Sequence, residues 1–526
     1  MMKLKKILFF AVFATVLFFI GCTEDNTIID STPPFVPVAN ITLAQTTITA
    51  GTLALNGTVE PSNASNQAII WSVNNAGTTG ATISGSTLNT TGAGTAQIRA
   101  TITNGQTATT NYTQTFSITV NPSGGGGGGG TSGNVISPNR TQELMNADVR
   151  TAFDAYSRGY LRNVTVNGVN MSYIYAQGTG PALTNTVTIS EAHGYGMKIF
   201  ALMNDRATFD RLNAFRKAHR SPIDSRLMAW FIRTPGQVPI NQPWSNQYGS
   251  GTATANSATD GDLDIAYALL LAHSRWGGNY LDEAKEVIAG LKESSMHQSP
   301  VYRPKLGDWH ARNWNITPSR PGTDPRMESR SSDWRPAHFR AFFRATNDNF
   351  WNNAADMVYT VLGQSANNNT GLMPDFVSGS PARPEPNPSV SGEHNMHRFA
   401  YNACRTPWFI AMDYVHYGTP AAEIHINRIS GWLRGATNST VSNIRSMREL
   451  SGTSLQNNYN TMVFVAPFAS SMLANADNQA FLNSLYTAIR TGNAGNNSWI
   501  TPYNAYSAAI QVLNMLLITG NWEAPL

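Results

Sequence analysis

From Gln142 onward, apolar residues recur every three or four positions, the spacing that turns one face of an α-helix toward a core. The pattern runs through 142–157, 191–204, 262–275, 281–293, 336–346, 350–363, 399–416, 460–474, 478–489 and 503–518. Loops rich in Pro, Gly, Asn and Trp separate these segments, their number is close to twelve, and no strand pattern stands out among them. So many helices within residues 138–526 predict an all-α toroid of paired helices, with the loops at one end shaping a cleft. From Asn40 to Asn121 the pattern shortens to strict alternation. Ile69, Trp71 and Val73 share one face, as do Ile98, Ala100 and Ile102, then Phe116, Ile118 and Val120. Gly- and Asn-containing turns lie between them, so residues 40–121 predict a small all-β sandwich. The unbroken glycines from Gly124 to Gly130 bury no side chain and mark 122–137 as a linker between the two units.

The first residues follow another logic. A basic start is followed by an apolar run from Ile7 to Ile20, too short for an ordinary membrane span, so 1–21 reads as a cleaved targeting segment and 22–39 as a polar tether. The run closes on Phe-Ile-Gly-Cys, which resembles a lipobox with Cys22 as the lipidated first mature residue. Acylation there would anchor the chain to a membrane, and Glu24 and Asp25 just after it resemble export signals of surface lipoproteins. The expected location is the outer membrane or cell surface, with the periplasmic face as the other possibility. Processing leaves Cys404 as the remaining thiol, so no intrachain disulfide is expected.

Charge narrows the partners. Only 13% of the chain is charged, and its net +4 falls to +1 once Lys3, Lys5 and Lys6 are removed with the leader. No basic stripe remains for a phosphate backbone, which argues against nucleic acid. Abundant Asn, Thr, Ser, Gly and aromatic residues suit a neutral or weakly charged sugar. A monomer is expected. No metal-ligand spacing, phosphate-cradling glycine loop or nucleophile elbow is present, so no cofactor or metal is expected.

The chemistry concentrates in a few motifs. Ala258-Thr259-Asp260-Gly261-Asp262-Leu263-Asp264 opens an apolar helix that ends at Trp276. Thr259 or Asp260 could cap it. A calcium loop is excluded, because Ile265 and Leu271 occupy the positions that need Gly and Glu. Upstream, Ser190-Glu191-Ala192-His193-Gly194-Tyr195-Gly196-Met197 opens another helix with Ser190 as a possible cap.

These two stretches resemble the Ala-[Ser/Thr]-Asp-[Ala/Gly]-Asp signature and the Ser-Glu-Gly-x-Gly-Tyr-Gly-Met element of glycoside hydrolase family 8, with Ala192 in place of a Gly. Ser332-Asp333-Trp334 through Phe342, Gly371 through Phe376 and Tyr459 through Phe468 resemble further elements of that family in the same order. The resemblance implies an (α/α)6 toroid, and the β-unit before it resembles bacterial immunoglobulin-like domains. It implies Glu191 as the general acid and Asp260 at the cleavage subsite, with Asp262, Asp333, Tyr195, Arg405, Trp334 and Trp309 as candidate sugar contacts. For Arg405 an internal ion pair is the favoured role over a sugar contact. His193 is a candidate for either a sugar contact or a structural hydrogen bond, and Trp244 and Trp314 are further stacking candidates.

An inverting hydrolase needs a second carboxylate about 6.5–9.5 Å from the acid, across a water. Much of the family places an Asp in a Tyr-Asp-Ala-x-Arg run. Here that run is Tyr401-Asn402-Ala403-Cys404-Arg405, and an amide cannot take a proton from water. A branch containing chitosanases and lichenases shares the Asn and supplies a Glu from a loop upstream. The loop from Pro384 to His397 holds Glu393, which the resemblance implies as the base, with Glu385 in reserve and Asn402 positioning water or a sugar hydroxyl. The expected activity is inverting, endo-acting hydrolysis of β-1,4 linkages in chitosan or mixed-linkage β-glucan, with cellulose or xylan as further substrates. Two other readings stand beside it: a non-catalytic surface glycan binder that has lost its base, and a helical-toroid polysaccharide lyase.

Overall fold

The computed structural model describes residues 34–43, 46–49, 52–90, 94–121, 135–176, 187–232, 256–311, 327–388, 395–456, 458–491 and 504–525. The leader, Cys22, most of the tether, the glycine run, Trp244, Trp314 and Glu393 lie outside the described residues.

The N-terminal unit contains β1 (Asn40–Leu43), β2 (Thr47–Thr49), β3 (Thr52–Ala54), β4 (Gly57–Glu60), β5 (Ile69–Asn75), β6 (Thr82–Ser84), β7 (Thr87–Asn89), β8 (Gly94–Ile102) and β9 (Tyr112–Asn121). They form a four-stranded sheet in the order β2-β9-β8-β5, a three-stranded sheet β3-β7-β6 and the pair β1-β4. In β8 the alternation holds to the end: Ala96, Ile98, Ala100 and Ile102 are buried, while Gln97 and Arg99 face solvent. With Ile41, Trp71, Leu88 and Ile118 they make one apolar core.

The second unit has twelve α-helices among the described residues. They are α1 (Gln142–Tyr160), α2 (Ser190–Leu202), α3 (Arg206–Ala218), α4 (Thr259–Trp276), α5 (Tyr280–Gly290), α6 (Pro336–Thr346), α7 (Phe350–Ser365), α8 (Thr406–Tyr417), α9 (Pro420–Thr437), α10 (Met462–Ser470), α11 (Gln479–Thr491) and α12 (Ala505–Ile518). The even-numbered helices touch in succession, α2 to α4, α6, α8, α10 and α12, and α12 returns to α2. Six inner helices thus close a ring, and each odd-numbered helix packs outside it. Burial follows this division. Every residue of α4 from Thr259 to Ala272 and all of α10 are buried, whereas α11 buries only Phe481, Leu482, Leu485, Tyr486 and Ile489, a single stripe.

The structure differs from the sequence pattern in three places. Helices α3 and α9 were not anticipated, because the outer ring needs only a narrow stripe: Phe209, Leu212 and Phe215 in one, Ile426, Ile429 and Leu433 in the other. Short strands are present, chiefly the antiparallel hairpin of β10 (Leu161–Val166) and β11 (Val169–Ile174). Its turn is Asn167-Gly168, with φ of 49° and 78°, the dipeptide that best tolerates two left-handed residues in a row. The segment expected as one helix over 399–416 begins its α-helix only at Thr406, since 403–405 form a tight 3₁₀ turn. Further pairs are β12 (Thr188–Ile189) with β13 (Phe231–Ile232), and β14 (Ser329–Arg330) with β15 (Phe376–Ser378) and β16 (Arg383–Pro384). No helix of the described residues is long and apolar enough to cross a membrane.

Candidate active site

Inner helices α2 and α4 begin side by side because glycines let their backbones approach. A Cβ on Gly194 would lie 2.8 Å from both the Asp264 Cβ and the Gly261 carbonyl oxygen, and one on Gly261 would lie 2.3–2.6 Å from atoms of Ser190. Neither helix start uses the expected side-chain cap. Ser190 is already inside α2, and Thr259 donates its hydroxyl to the Lys305 carbonyl at 2.6 Å. Both first turns are instead tied to neighbouring segments. This closeness places the carboxyl groups of Glu191 and Asp260 in hydrogen-bond contact.

Arg405 joins them from the turn before α8. Its Nη1 lies 3.1 Å from Glu191 Oε2 and 3.5 Å from Asp260 Oδ2, and it donates to the Tyr195 hydroxyl at 3.2 Å. Its Nη2 donates to Asn402 Oδ1 at 3.2 Å. Arg330, from β14, reaches Asp260 Oδ1 at 3.5 Å and Asp333 Oδ2 at 3.4 Å. Glu191 keeps 17% of its side chain exposed, against 4% for Asp260, so Glu191 is the member of the pair open to a ligand. Burial pushes Glu191 up to about 7, with Arg405 opposing and Asp260 reinforcing the shift. Burial also opposes ionisation of Asp260, but Arg330, Arg405 and Arg335 outweigh it and hold that group below the usual carboxylate range. The pair therefore separates into a protonated carboxyl and an ionised one near neutral pH.

Other expected ligands fall elsewhere. Asp262 is fully buried and accepts the Met228 backbone N–H at 2.8 Å, so it fastens a neighbouring segment and does not face the cleft. Burial raises it well above the ordinary range. Tyr195 is fully buried under Arg405, and Trp334 is fully buried with its indole N–H on Ser329 Oγ at 3.0 Å; neither can contact a sugar. His193 is buried on the Leu212 carbonyl oxygen at 3.0 Å, a structural bond. Asp333 is buried behind Asp260, beside Arg330, and burial pushes it up to about 6. Trp309 is half-buried and remains within reach of solvent. Glu385 is buried and accepts from Ser378 Oγ at 2.8 Å and the Asn387 N–H at 2.9 Å; it is bound within its own loop and is not part of the Glu191 cluster.

The sequence reading passed over Arg330, Asp375 and a buried charge group. Asp375 accepts the backbone N–H groups of Ala400, Asn402 and Ala403 at 3.0, 3.2 and 2.7 Å, and the Asn402 side-chain amide at 3.4 Å. Asp264, one turn beyond Asp260, is ion-paired with Lys198 of α2 and with Arg335, and meets His338 of α6 at 3.1 Å. Burial lowers His338 to about 3, so it stays neutral while Asp264 balances two cations. That group ties three inner helices together below the site. Among the described residues, no set of three or more His, Cys, Asp or Glu side chains is arranged to hold a metal ion.

Against known proteins, the model of Glycosyl hydrolases family 8 matches residues 171–489. A beta-glucanase of Niallia circulans is 34% identical over 406 residues, covering 74% of this chain and 89% of that protein. An endoglucanase of Bacillus sp. (strain KSM-330) is 31% identical, covering 74% and 80%. Among solved structures, a beta-1,3-1,4-glucanase from Paenibacillus sp. X4 superposes with a TM-score of 0.62 at 33% identity, covering 75% of this chain and 97% of that one. Rex8A from Paenibacillus barcinonensis, solved with xylose, shares the fold at 18% identity and a TM-score of 0.57, covering 74% and 96%.

Proposed function

This chain belongs to Glycosyl hydrolases family 8, and from that premise we propose that it cuts β-1,4 bonds within mixed-linkage β-glucan, inverting the anomeric carbon. The observation that carries the reading is the Glu191–Asp260 pair under Arg405, a carboxyl poised near pH 7 beside one held ionised. Glu191 gives its proton to the leaving glycosidic oxygen as the bond to the anomeric carbon breaks. Asp260 stabilises the positive charge that develops on the sugar. Water then adds to the opposite face and loses a proton to the base.

Glu393 is the proposed base. In support, the described residues on either side of it are tied together: the Met396 N–H bonds the Pro386 carbonyl at 3.0 Å, and the Phe376 N–H bonds the Met396 carbonyl at 3.1 Å. Phe376 follows Asp375, which holds Asn402. The commitment of Glu385 to Ser378 and Asn387 removes its nearest rival. The names and identities of the Niallia and Paenibacillus sp. X4 glucanases favour β-glucan over chitosan, cellulose or xylan.

Reducing-sugar release should be measured on lichenan, soluble chitosan, carboxymethylcellulose, xylan and laminarin, with lichenan expected to be cut fastest. Glu191→Gln and Glu393→Gln should each lower turnover about 10²–10⁴-fold while sugar binding persists, and proton NMR should show the α-anomer first. Asn402 in the family's usual base position keeps the glycan-binder reading in play; a wild-type chain inert on all five substrates would establish it. An absorbance from unsaturated uronide would mean a lyase. At the N-terminus, Cys22 is proposed to carry a lipid anchor at the outer membrane or cell surface, which fractionation of Cys22→Ala tests. The β-unit is proposed to be an immunoglobulin-like spacer, since its Trp71 is buried against Phe116 and not offered to a ligand.

A further inference from the structure

We propose that Asp375 and Asn402 are positioning residues that hold Arg405 against Glu191 and Asp260, with the amide at 402 donating at one end and accepting at the other. The proposal rests on Glu191 being the acid. Asn402 Nδ2 donates to Asp375 Oδ2 at 3.4 Å, and its Oδ1 accepts from Arg405 Nη2 at 3.2 Å. A carboxylate at 402 would satisfy Arg405 but bring two anions together at the Asp375 end. An amide is the side chain of this size that serves both neighbours.

The Asp375 end is fixed independently. Three N–H groups close together in the chain, from Ala400, Asn402 and Ala403, converge on one of its oxygens. Asp375 is 1% exposed, so this is an interior clamp on the turn that carries Arg405. The path runs from that clamp through the Asn402 amide to Nη2 of Arg405, whose Nη1 serves Glu191, Asp260 and Tyr195. Guanidinium is planar, so fixing Nη2 fixes where Nη1 points. Asn402 thereby acts through Arg405 and is neither a lost base nor a group held in reserve for water.

Among the described residues, the charged and titratable groups around Glu191 are Asp260 of α4, Arg330 of β14, Arg405, Tyr195 on its own helix, Cys404 and Tyr506 of α12. Of these, Arg405 is the one whose placement depends on Asn402. Displacing it should raise the midpoint at which Glu191 ionises.

The test is a reciprocal exchange. Asp375→Asn sets one amide against another, and Asn402→Asp sets one carboxylate against another. The double variant restores one donor and one acceptor. Its amide, now at position 375, still accepts the three N–H groups through its oxygen and donates to the carboxylate at position 402, which in turn accepts from Arg405. The readout is the ¹³C carboxyl shift of Glu191, identified against Glu191→Gln and titrated without substrate, beside kcat and KM on lichenan. Each single variant should raise the Glu191 midpoint and lower kcat by about tenfold or more with little change in KM, and the double variant should return both to within about threefold of wild type. Single variants that leave the midpoint in place, or a double variant as impaired as the two losses combined, would overturn the proposal. Should Asp375→Asn fail to fold, Asn402→Ala keeps the backbone clamp and must still raise the midpoint; an unmoved midpoint there is equally fatal. A wild-type chain inert on every glycan would sink the hydrolase reading, while the titration would still judge this one.

Discussion

A carboxyl that must release a proton at neutral pH needs an environment that makes its charge costly without making its proton unreachable. Glu191 meets both conditions, being largely enclosed, next to an anion and still partly open to the cleft. With Glu191 as the proposed acid the protonated form is the working one, so kcat/KM should be flat below about pH 7 on this limb and fall tenfold per unit above it. Asp260→Asn removes the neighbouring charge that raises Glu191 and leaves Arg405 and Arg330, which lower it. The alkaline limb should therefore move to lower pH by about one unit, and a pH profile on soluble β-glucan checks the direction. At this scale the sequence exposes groups that open regular helices inside recognisable motifs, hence Glu191 and Asp260. It misassigns Asp262, since a helix advances about 100° per residue: two steps beyond Asp260 the side chain has left the cleft and faces Met228. Arg330 and Asp375 come from a two-residue strand and a loop without period. Only closure of the fold decides what they touch.

At the scale of elements, the site is a consequence of how closely two helix starts can pack. Gly261 faces Ser190 with no room for a methyl group. Gly261→Ala should therefore cost about 1–3 kcal/mol and, by separating Glu191 from Asp260, lower turnover by more than the stability loss explains. Gly363 is the matched control: it lies exposed in α7, and a methyl group there would meet nothing within 4 Å. Gly363→Ala should stabilise by about 0.5–1 kcal/mol without touching the rate. Thermal melting and initial rates on both variants and their parent separate the two effects. Inner helices such as α10, where every residue is buried, were legible as long apolar runs more than by period. Periodicity missed α3 and α9, whose charged faces dilute a three-residue stripe, and the β10–β11 hairpin, where the Asn167-Gly168 signal was present but outweighed by its helical surroundings.

At the largest scale the described residues make two cores, one of strands and one of helices, with no residue shared between them. Within the helical unit the last inner helix packs on the first, and Gln142 near the start of α1 donates to the Thr519 carbonyl just past α12 at 3.0 Å. Periodicity alone predicted paired helices and left closure of the circle to what the family resemblance implied, since the contact joining residue 142 to residue 519 leaves no local trace. A circle of this kind has no privileged starting point. The helical unit should accept circular permutation, with residue 526 joined to 135 by a short Gly-Ser bridge and new ends opened in the exposed turn between Ser439 and Thr440. Such a rearranged chain should melt in one cooperative transition and keep its parent's hydrolase activity; separate melting of its two segments would mean that the order of synthesis, and not the closed circuit of packing, is what holds Glu191 and its neighbours in place.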